Sequence, residues 1–319
     1  MIDITTDLLK AKQILEKGEL VAIPTETVYG LAGNIYSEKA IQKIFETKKR
    51  PLFNPLIVHI ASKNKLEEIV TEIPEKAQQL ADAFWPGPLT LVLKKKAHIT
   101  DNITAGKNTV AVRVPNHEMT LQLLNLLDFP LAAPSANPFG SISPTTAEHV
   151  AEYFANDLEM VLQGGACRNG IESTIIGFEN DTVVLYRLGS ISVEEIEAII
   201  GSIQVKNKKE NAPNAPGMLS RHYAPKTTTI LVNNVDLELK KHPDKKVGLL
   251  VFQNISSNSQ HVETEILSKT GDLIEATANL YAAMHRLDKQ NLDLIIAEKL
   301  PDTRLGTSIN DRLERATKK

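Results

Sequence analysis

"QVKNKKENAPNAPGMLSRHYAPK", residues 204–226, separates two different sequence patterns, and its reading decides the fold. It is polar and proline-rich with no hydrophobic periodicity, the mark of a linker. Before it, short β-like runs ("ELVAIP", "PLIVHIA", "LTLVLK", "TVAVRVP", "PLAAPSA", "STIIGF", "TVVLYRL") are interspersed with helical patterns. Residues 7–17 place Leu8, Ala11, Ile14 and Leu15 at helical spacing with Gly18 as a stop, and "SEKAIQKIFETKK" predicts a helix capped by Ser37. This predicts a mixed α/β domain built around a sheet. After the linker the alternation is regular: "TTTILV" and "VGLLVF" as strands, a helix from Asp272 to about Gln290, "LDLIIA" as a strand, and a final helix. Leu273, Ala276, Leu280, Met284 and Leu287 line one face of the penultimate helix, so a second, smaller α/β domain with a Rossmann-like parallel sheet is expected. The expected division is 1–203, a linker at 204–226, and 227–319.

The length of 319 residues fits that division, since domains usually hold roughly 100 to 200 residues. With 42% hydrophobic and 24% charged residues, the composition is that of an ordinary soluble protein. A formal net charge of −3 and a pI near 6.3 argue against a constitutive nucleic-acid coat, whose affinity comes from neutralising phosphates. Any polyanion site must therefore be local. The single cysteine, Cys167, excludes an intramolecular disulfide and a cysteine-rich metal site, and a reducing cytoplasm is the expected setting. No signal-peptide core and no run of about 18 apolar residues occurs, so no membrane role is expected. Neither G-x-G-x-x-G nor G-x-x-x-x-G-K-[ST] is present; nucleotide binding would need another device.

Four segments could carry chemistry. In "KKRPLFNPLIVHI", residues 48–60, strand alternation puts Leu56, Val58 and Ile60 on one face and Ile57, His59 and Ala61 on the other. Lys48, Lys49 and Arg50 close a helix, where either the three complement its dipole in solvent or Lys48 and Arg50 hold phosphates in a cleft with Asn54 and His59. "AIPTETVYGLAG", residues 22–33, crowds Thr25, Glu26, Thr27 and Tyr29 into a turn after a strand, either as a helix N-cap or at a ligand. "APSANPFGSISPTT" (133–146) and "QGGACRNGIESTIIGF" (163–178) are rich in small hydroxyl residues and glycine, which let backbone N–H groups approach an anion. Arg113 and Arg187 sit within apolar strands, so each must surface or meet an anion, from a carboxylate partner or a ligand. The remaining histidines have no metal-ligand spacing, and no zinc site is expected.

These motifs, "PTETVYGL", "K-x-R-P-x-x-x-P-L-x-x-H", "WPGPLTLVL", "VAVRVP", "APSAN", "SPTTAEHV" and "G-x-EST", resemble in order and spacing the YrdC-like domain of the threonylcarbamoyl-AMP synthases. "APGMLSRHYAP" and "TRLGTSINDRLERA" resemble the linker and closing helix of that family's two-domain form. The resemblance implies a twisted mixed sheet with flanking helices and a concave basic cleft, followed by a smaller Rossmann-like domain. It implies formation of threonylcarbamoyl-AMP and pyrophosphate from L-threonine, bicarbonate or CO2, and ATP with Mg2+. A downstream transferase would use the product to modify tRNA next to the anticodon, with at most weak tRNA contact by this chain. By the same resemblance Thr27, His59, Arg113, Ala133 and Ser173 would hold threonine, and Lys48, Arg50, Asn54, Thr109, Ser135, Ser143, Arg187 and Tyr223 would hold ATP. Lys48 and Arg50 would be the catalytic cations, and the linker would close over the nucleotide. The main rival is a non-catalytic RNA-binding module of the same fold. Phe53 and Gln163 depart from the family pattern.

Overall fold

The computed structural model describes residues 2–179, 182–206, 222–254 and 262–318. In chain order the first part contains β1 (Asp3–Thr5), α1 (Leu8–Glu16), β2 (Val21–Ile23), β3 (Gly30–Asn34), α2 (Glu38–Lys48), β4 (Ile57–His59), α3 (Glu75–Phe84), β5 (Leu89–Lys94), α4 (Asp101–Thr104) and β6 (Thr109–Arg113). It continues with α5 (Glu118–Leu126), β7 (Leu131–Ala132), α6 (Ala147–Phe154), β8 (Met160–Leu162), β9 (Thr174–Glu179), β10 (Thr182–Arg187), α7 (Val193–Ile200) and β11 (Gln204–Val205). The eleven strands form one mixed sheet in the order β1-β8-β2-β3-β7-β4-β6-β5-β9-β10-β11. Gln204–Val205, expected inside the linker, pairs in parallel with β10 and extends this sheet by one strand. Most of the remaining linker lies outside the described residues.

The second part contains β12 (Thr229–Val232), α8 (Val235–Leu239), β13 (Val247–Val251), β14 (Val262–Ile266), α9 (Leu273–Asp288), β15 (Leu294–Glu298) and α10 (Leu305–Ala316). Its four strands are all parallel, in the order β12-β15-β13-β14. The three strands expected from apolar runs are present. β14 is an addition: "VETEI" alternates with charged residues and lies at the sheet edge, where no continuous apolar run is needed. No helix among the described residues is long and apolar enough to cross a membrane.

Local chemistry sets the elements that matter. Ser37 accepts from the Ala40 N–H and starts α2, whose Ala40, Ile41, Ile44 and Phe45 are buried. Leu56, Val58 and Ile60 join the main core, while Ile57 joins Val92, Ala111, Ile175, Val184 and Tyr186 on the opposite face of the sheet. The two parts share a core: Val28, Ile142 and Ile171 from loops of the first pack with Tyr223 and with Leu280, Met284, Ile309 and Leu313 of the second. The contact is close at Gly170, whose φ is +74° and where an added Cβ would lie 2.4 Å from the Thr277 carbonyl oxygen of α9. Gly170→Ala is therefore expected to destabilise the protein by about 2–4 kcal/mol, combining left-handed strain with overpacking. Thermal unfolding measures it, and an unchanged melting temperature would contradict this packing.

Candidate active site

Parallel pairing of β4 with β6 sets His59 directly beside Arg113 and Ile57 beside Ala111. Because side chains alternate, these four share one face, and the two polar residues lie at its end. Antiparallel β9 and β10 bring in a third position. Their register slips between Leu185 and Arg187, so one extra residue in β10 lets Arg187 reach the side on which its neighbour Tyr186 already packs. Two loops and residues 172–173, at the entry to β9, complete the wall. Residues 24–29 are tied to residues 133–146 by Tyr29 N–H to Pro144 O at 2.9 Å and Ala136 N–H to Tyr29 O at 2.7 Å. Thr25 Oγ1 accepts from the Thr27 and Val28 N–H groups, forming a tight turn that leads into β3 and not into a helix, so the N-cap alternative does not hold.

Thr27, Arg50, His59, Arg113, Ala133, Ser135, Glu172, Ser173, Arg187 and Tyr223 line one cavity, whose volume is about 50 Å3. That is room for a few waters at most. Arg113 is buried, donates to Thr27 Oγ1 at 2.9 Å and to Gly87 O at 3.2 Å, and lies 2.6 Å from Glu26 Oε1. Glu26 is equally buried, and the close Arg113–Glu26 contact is an ion pair without hydrogen-bond alignment. Arg187 grips the β9 entry, donating to Ser173 O at 2.8 Å and Ser173 Oγ at 3.0 Å. Ser173 Oγ also meets Thr90 Oγ1 at 2.7 Å. His59 Nδ1 lies 3.3 Å from Ile57 O, which places the proton on Nδ1 and leaves Nε2 as an acceptor. Burial, reinforced by the Arg113 charge, lowers the His59 pKa from 6.5 to about 3.

Of the other expected site residues, Lys48, Asn54 and Ser143 stand behind this wall, next to Arg50, which lines it. Lys48 is buried, not solvated, and its Nζ donates to Ser135 O and Asn137 O, stitching the hydroxyl-rich loop to α2. Burial and the nearby Arg50 charge hold its pKa well below the usual lysine value. Arg50 donates to Asn54 O at 3.1 Å and Pro55 O at 2.7 Å, and burial with the Arg187 charge lowers its pKa also. Lys49 alone of the three cations is exposed, in the left-handed C-cap of α2. Asn54 is fully buried, and neither of its side-chain polar atoms has a partner among the described residues. Ser143 donates to Glu172 Oε1 at 2.6 Å and so touches the cavity through that carboxylate. Thr109 is apart, in a groove of about 770 Å3 that also contains Val92 and Tyr186.

Glu172, Tyr281 and Arg312 received no role from sequence. The Glu172 carboxylate accepts from Tyr281 OH at 3.0 Å and Arg312 Nε at 3.2 Å, both from the second domain. Arg312 is visible in the sequence as an arginine three residues after Ile309 and four before Ala316, both on the apolar face of α10.

A mixed sheet carrying this cavity, with a small parallel α/β domain packed over it, defines a two-domain YrdC-type protein. Residues 13–189 match the Sua5/YciO/YrdC family model, described as "Telomere recombination", and residues 191–317 match the model described as "Threonylcarbamoyl-AMP synthase, C-terminal domain". The threonylcarbamoyl-AMP synthase of Pyrococcus abyssi is 42% identical over 96% of this chain and 93% of its own, and that of Bacillus subtilis 38% identical over 99% and 96%. The crystal structure of P. abyssi Sua5 complexed with L-threonine superposes with a TM-score of 0.92 at 41% identity, covering 99% of this chain and 97% of that one. The chain belongs to the threonylcarbamoyl-AMP synthase family.

A histidine held neutral by burial binds fewer protons folded than unfolded, so its contribution to stability is complete above about pH 6.5 and is lost as pH falls toward 3. Each such group can contribute at most about 1.4 kcal/mol per pH unit in that window. His59→Gln should therefore lose less stability than the wild type between pH 7 and 5, measured by denaturant unfolding. A His59 NMR titration centred near its ordinary value would contradict the burial argument.

Proposed function

We propose that the chain is an L-threonylcarbamoyl-adenylate synthase, and the observation that carries this is the single small cavity lined by Thr27, His59 and Arg113 together with Arg50 and Arg187. The threonine amine takes up CO2, or CO2 derived from bicarbonate, losing one proton to give a carbamate. A carbamate oxygen then attacks the α-phosphorus of ATP, forming the mixed anhydride and expelling pyrophosphate. Both reactants are anionic, so positioning and charge neutralisation supply most of the catalysis.

Arg113 would take the threonine carboxylate, exchanging part of its contact with Glu26, while Thr27, Ser173, the Ala133 backbone and the Nε2 acceptor of His59 orient the remaining polar groups. Arg50 and Arg187 would face the triphosphate, with Ser135 beside it and Lys48, Asn54 and Ser143 immediately behind. Lys48 would have to exchange its carbonyl partners to touch phosphate. The apolar patch of Ile57, Ala111, Val92 and Tyr186 runs from the cavity to the groove of Thr109 and would carry the nucleoside. Magnesium would arrive on the triphosphate, because the carboxylates of this region are engaged: Glu26 with Arg113, Glu172 with Ser143, Tyr281 and Arg312.

A cavity of about 50 Å3 admits no ATP, so Tyr223 must swing away for entry and return afterwards. Closure matters chemically: the carbamate loses CO2 and the acyl adenylate hydrolyses in water. A cavity of this size has no room for an RNA backbone. A downstream transferase would carry the threonylcarbamoyl group to tRNA, in a cytoplasmic setting that suits the lone, buried Cys167.

Mass spectrometry of a reaction with ATP, bicarbonate and threonine should show threonylcarbamoyl-AMP, with serine giving far less; pyrophosphate release without threonine dependence would refute the assignment. Arg113→Ala should abolish threonine-dependent turnover. It also strips Glu26 of its partner, a loss worth about 3–5 kcal/mol of stability, so the Glu26→Gln/Arg113→Gln pair should be assayed beside it. Normal threonine KM in that folded double variant would remove Arg113 from the site.

A further inference from the structure

Tyr223 is held in a way that its own segment does not explain. Its φ is +62°, a left-handed conformation unusual for a tyrosine, which persists only where surroundings enforce it. Its hydroxyl is buried and has no hydrogen-bond partner among the described residues. Besides its neighbour His222 and Val28, Ile142 and Ile171 of the first domain, the ring meets two residues of the second. Tyr281 of α9 stacks on it at 5.8 Å and 28°, and the Arg312 guanidinium of α10 lies 5.1 Å from its centroid. Arg312 is fully buried on the apolar face of its helix, where a leucine would serve packing as well. Among the described residues, its polar and ring contacts besides its sequence neighbour Asp311 are Glu172, the Leu188 carbonyl at 2.6 Å, and the Tyr223 ring.

The same two residues fix Glu172. Oε1 accepts from Ser143 Oγ and Oε2 from Arg312, with the Tyr281 hydroxyl reaching both, so the orientation of Ser143 depends on a carboxylate that the second domain clamps.

We infer that Arg312 and Tyr281 are positioning residues for the reaction, seating Tyr223 over the cavity and Glu172 against Ser143, so that the site is complete only when the second domain is docked. The inference rests on the synthase reading above. Arg312 supplies the cation over the ring and Tyr281 supplies the stacked face and the hydroxyl. Neither touches substrate. When they fail, Tyr223 loosens and water reaches the mixed anhydride. Attack at the carbamoyl carbon then releases AMP and the threonine carbamate, which loses CO2, after pyrophosphate has already left. Loosening therefore separates pyrophosphate release from recovery of intact product, whereas a loss of folded enzyme lowers both together.

The test measures pyrophosphate and intact threonylcarbamoyl-AMP in the same reaction for the full chain and for Arg312→Gln, Arg312→Lys and Tyr281→Phe. Arg312→Gln should raise the pyrophosphate-to-product ratio about fivefold or more, the scale of losing a buried cation–π contact. Arg312→Lys, which keeps a cation near the ring, should recover part of that loss. Tyr281→Phe, which keeps the stacked ring and removes the hydroxyl from Glu172, should raise the ATP KM more than it lowers kcat. If the wild type makes no product, the synthase reading fails. If the wild type makes product and the folded variants keep its ratio and its ATP KM, this inference fails; should Arg312→Gln not fold, the other two variants decide.

Discussion

Taking a guanidinium or ammonium out of water costs several kcal/mol unless charges and hydrogen bonds replace its hydration. This mildly acidic chain buries Lys48, Arg50, Arg113, Arg187 and Arg312 in one neighbourhood. Much of their hydration is replaced by main-chain carbonyls: Ser135 and Asn137 for Lys48, Asn54 and Pro55 for Arg50, Ser173 for Arg187, Leu188 for Arg312. Carbonyl dipoles satisfy donors without cancelling charge. Glu26 and Glu172 are the buried carboxylates beside these cations, and positive potential is left over for anionic ligands. The lowered pKa values of Lys48, Arg50 and Arg187 express the same strain, since burial and mutual repulsion both disfavour their charged forms. A carboxylate and a polyphosphate would relieve it.

The sheet supplies the precision. Parallel register puts His59 and Arg113 side by side, and the slip in β10 turns Arg187 toward them. Rigid strands thus carry three of the polar groups, while loops from residues 24–29 and 133–146 contribute the hydroxyls. The second domain contributes apolar packing and, through Arg312 and Tyr281, the hydrogen bonds that hold Glu172 of the cavity wall, so it supports the wall from behind.

Much of this was legible in the sequence. Apolar runs and helical spacing gave both sheets and the change of pattern at the linker. The expected ligand residues Thr27, Arg50, His59, Arg113, Ala133, Ser135, Ser173, Arg187 and Tyr223 come together at one cavity. β14 escaped because an edge strand with "VETEI" shows no buried run, and Gln204–Val205 because two residues carry no period. The burial of Lys48 could not be read locally: a cation at a helix end is usually solvated, and only the arrival of residues 135 and 137 from elsewhere in the chain encloses it. Thr109 shares the strand of Arg113 four residues away, a distance along the strand that leaves it in another groove. Arg312 had a signal, a charge on an apolar helical face, but its partner Glu172 lies 140 residues earlier.

The central claim is that one pocket neutralises an amino-acid carboxylate and a polyphosphate together. A crystal structure of the full chain with L-threonine and a non-hydrolysable ATP analogue tests it most directly. The account predicts the threonine carboxylate on Arg113 beside His59, the triphosphate facing Arg50 and Arg187, and Tyr223 over both. Threonine bound away from Arg113, or a triphosphate lying wholly in the groove of Thr109 with Arg50 and Arg187 still on their carbonyls, would contradict it.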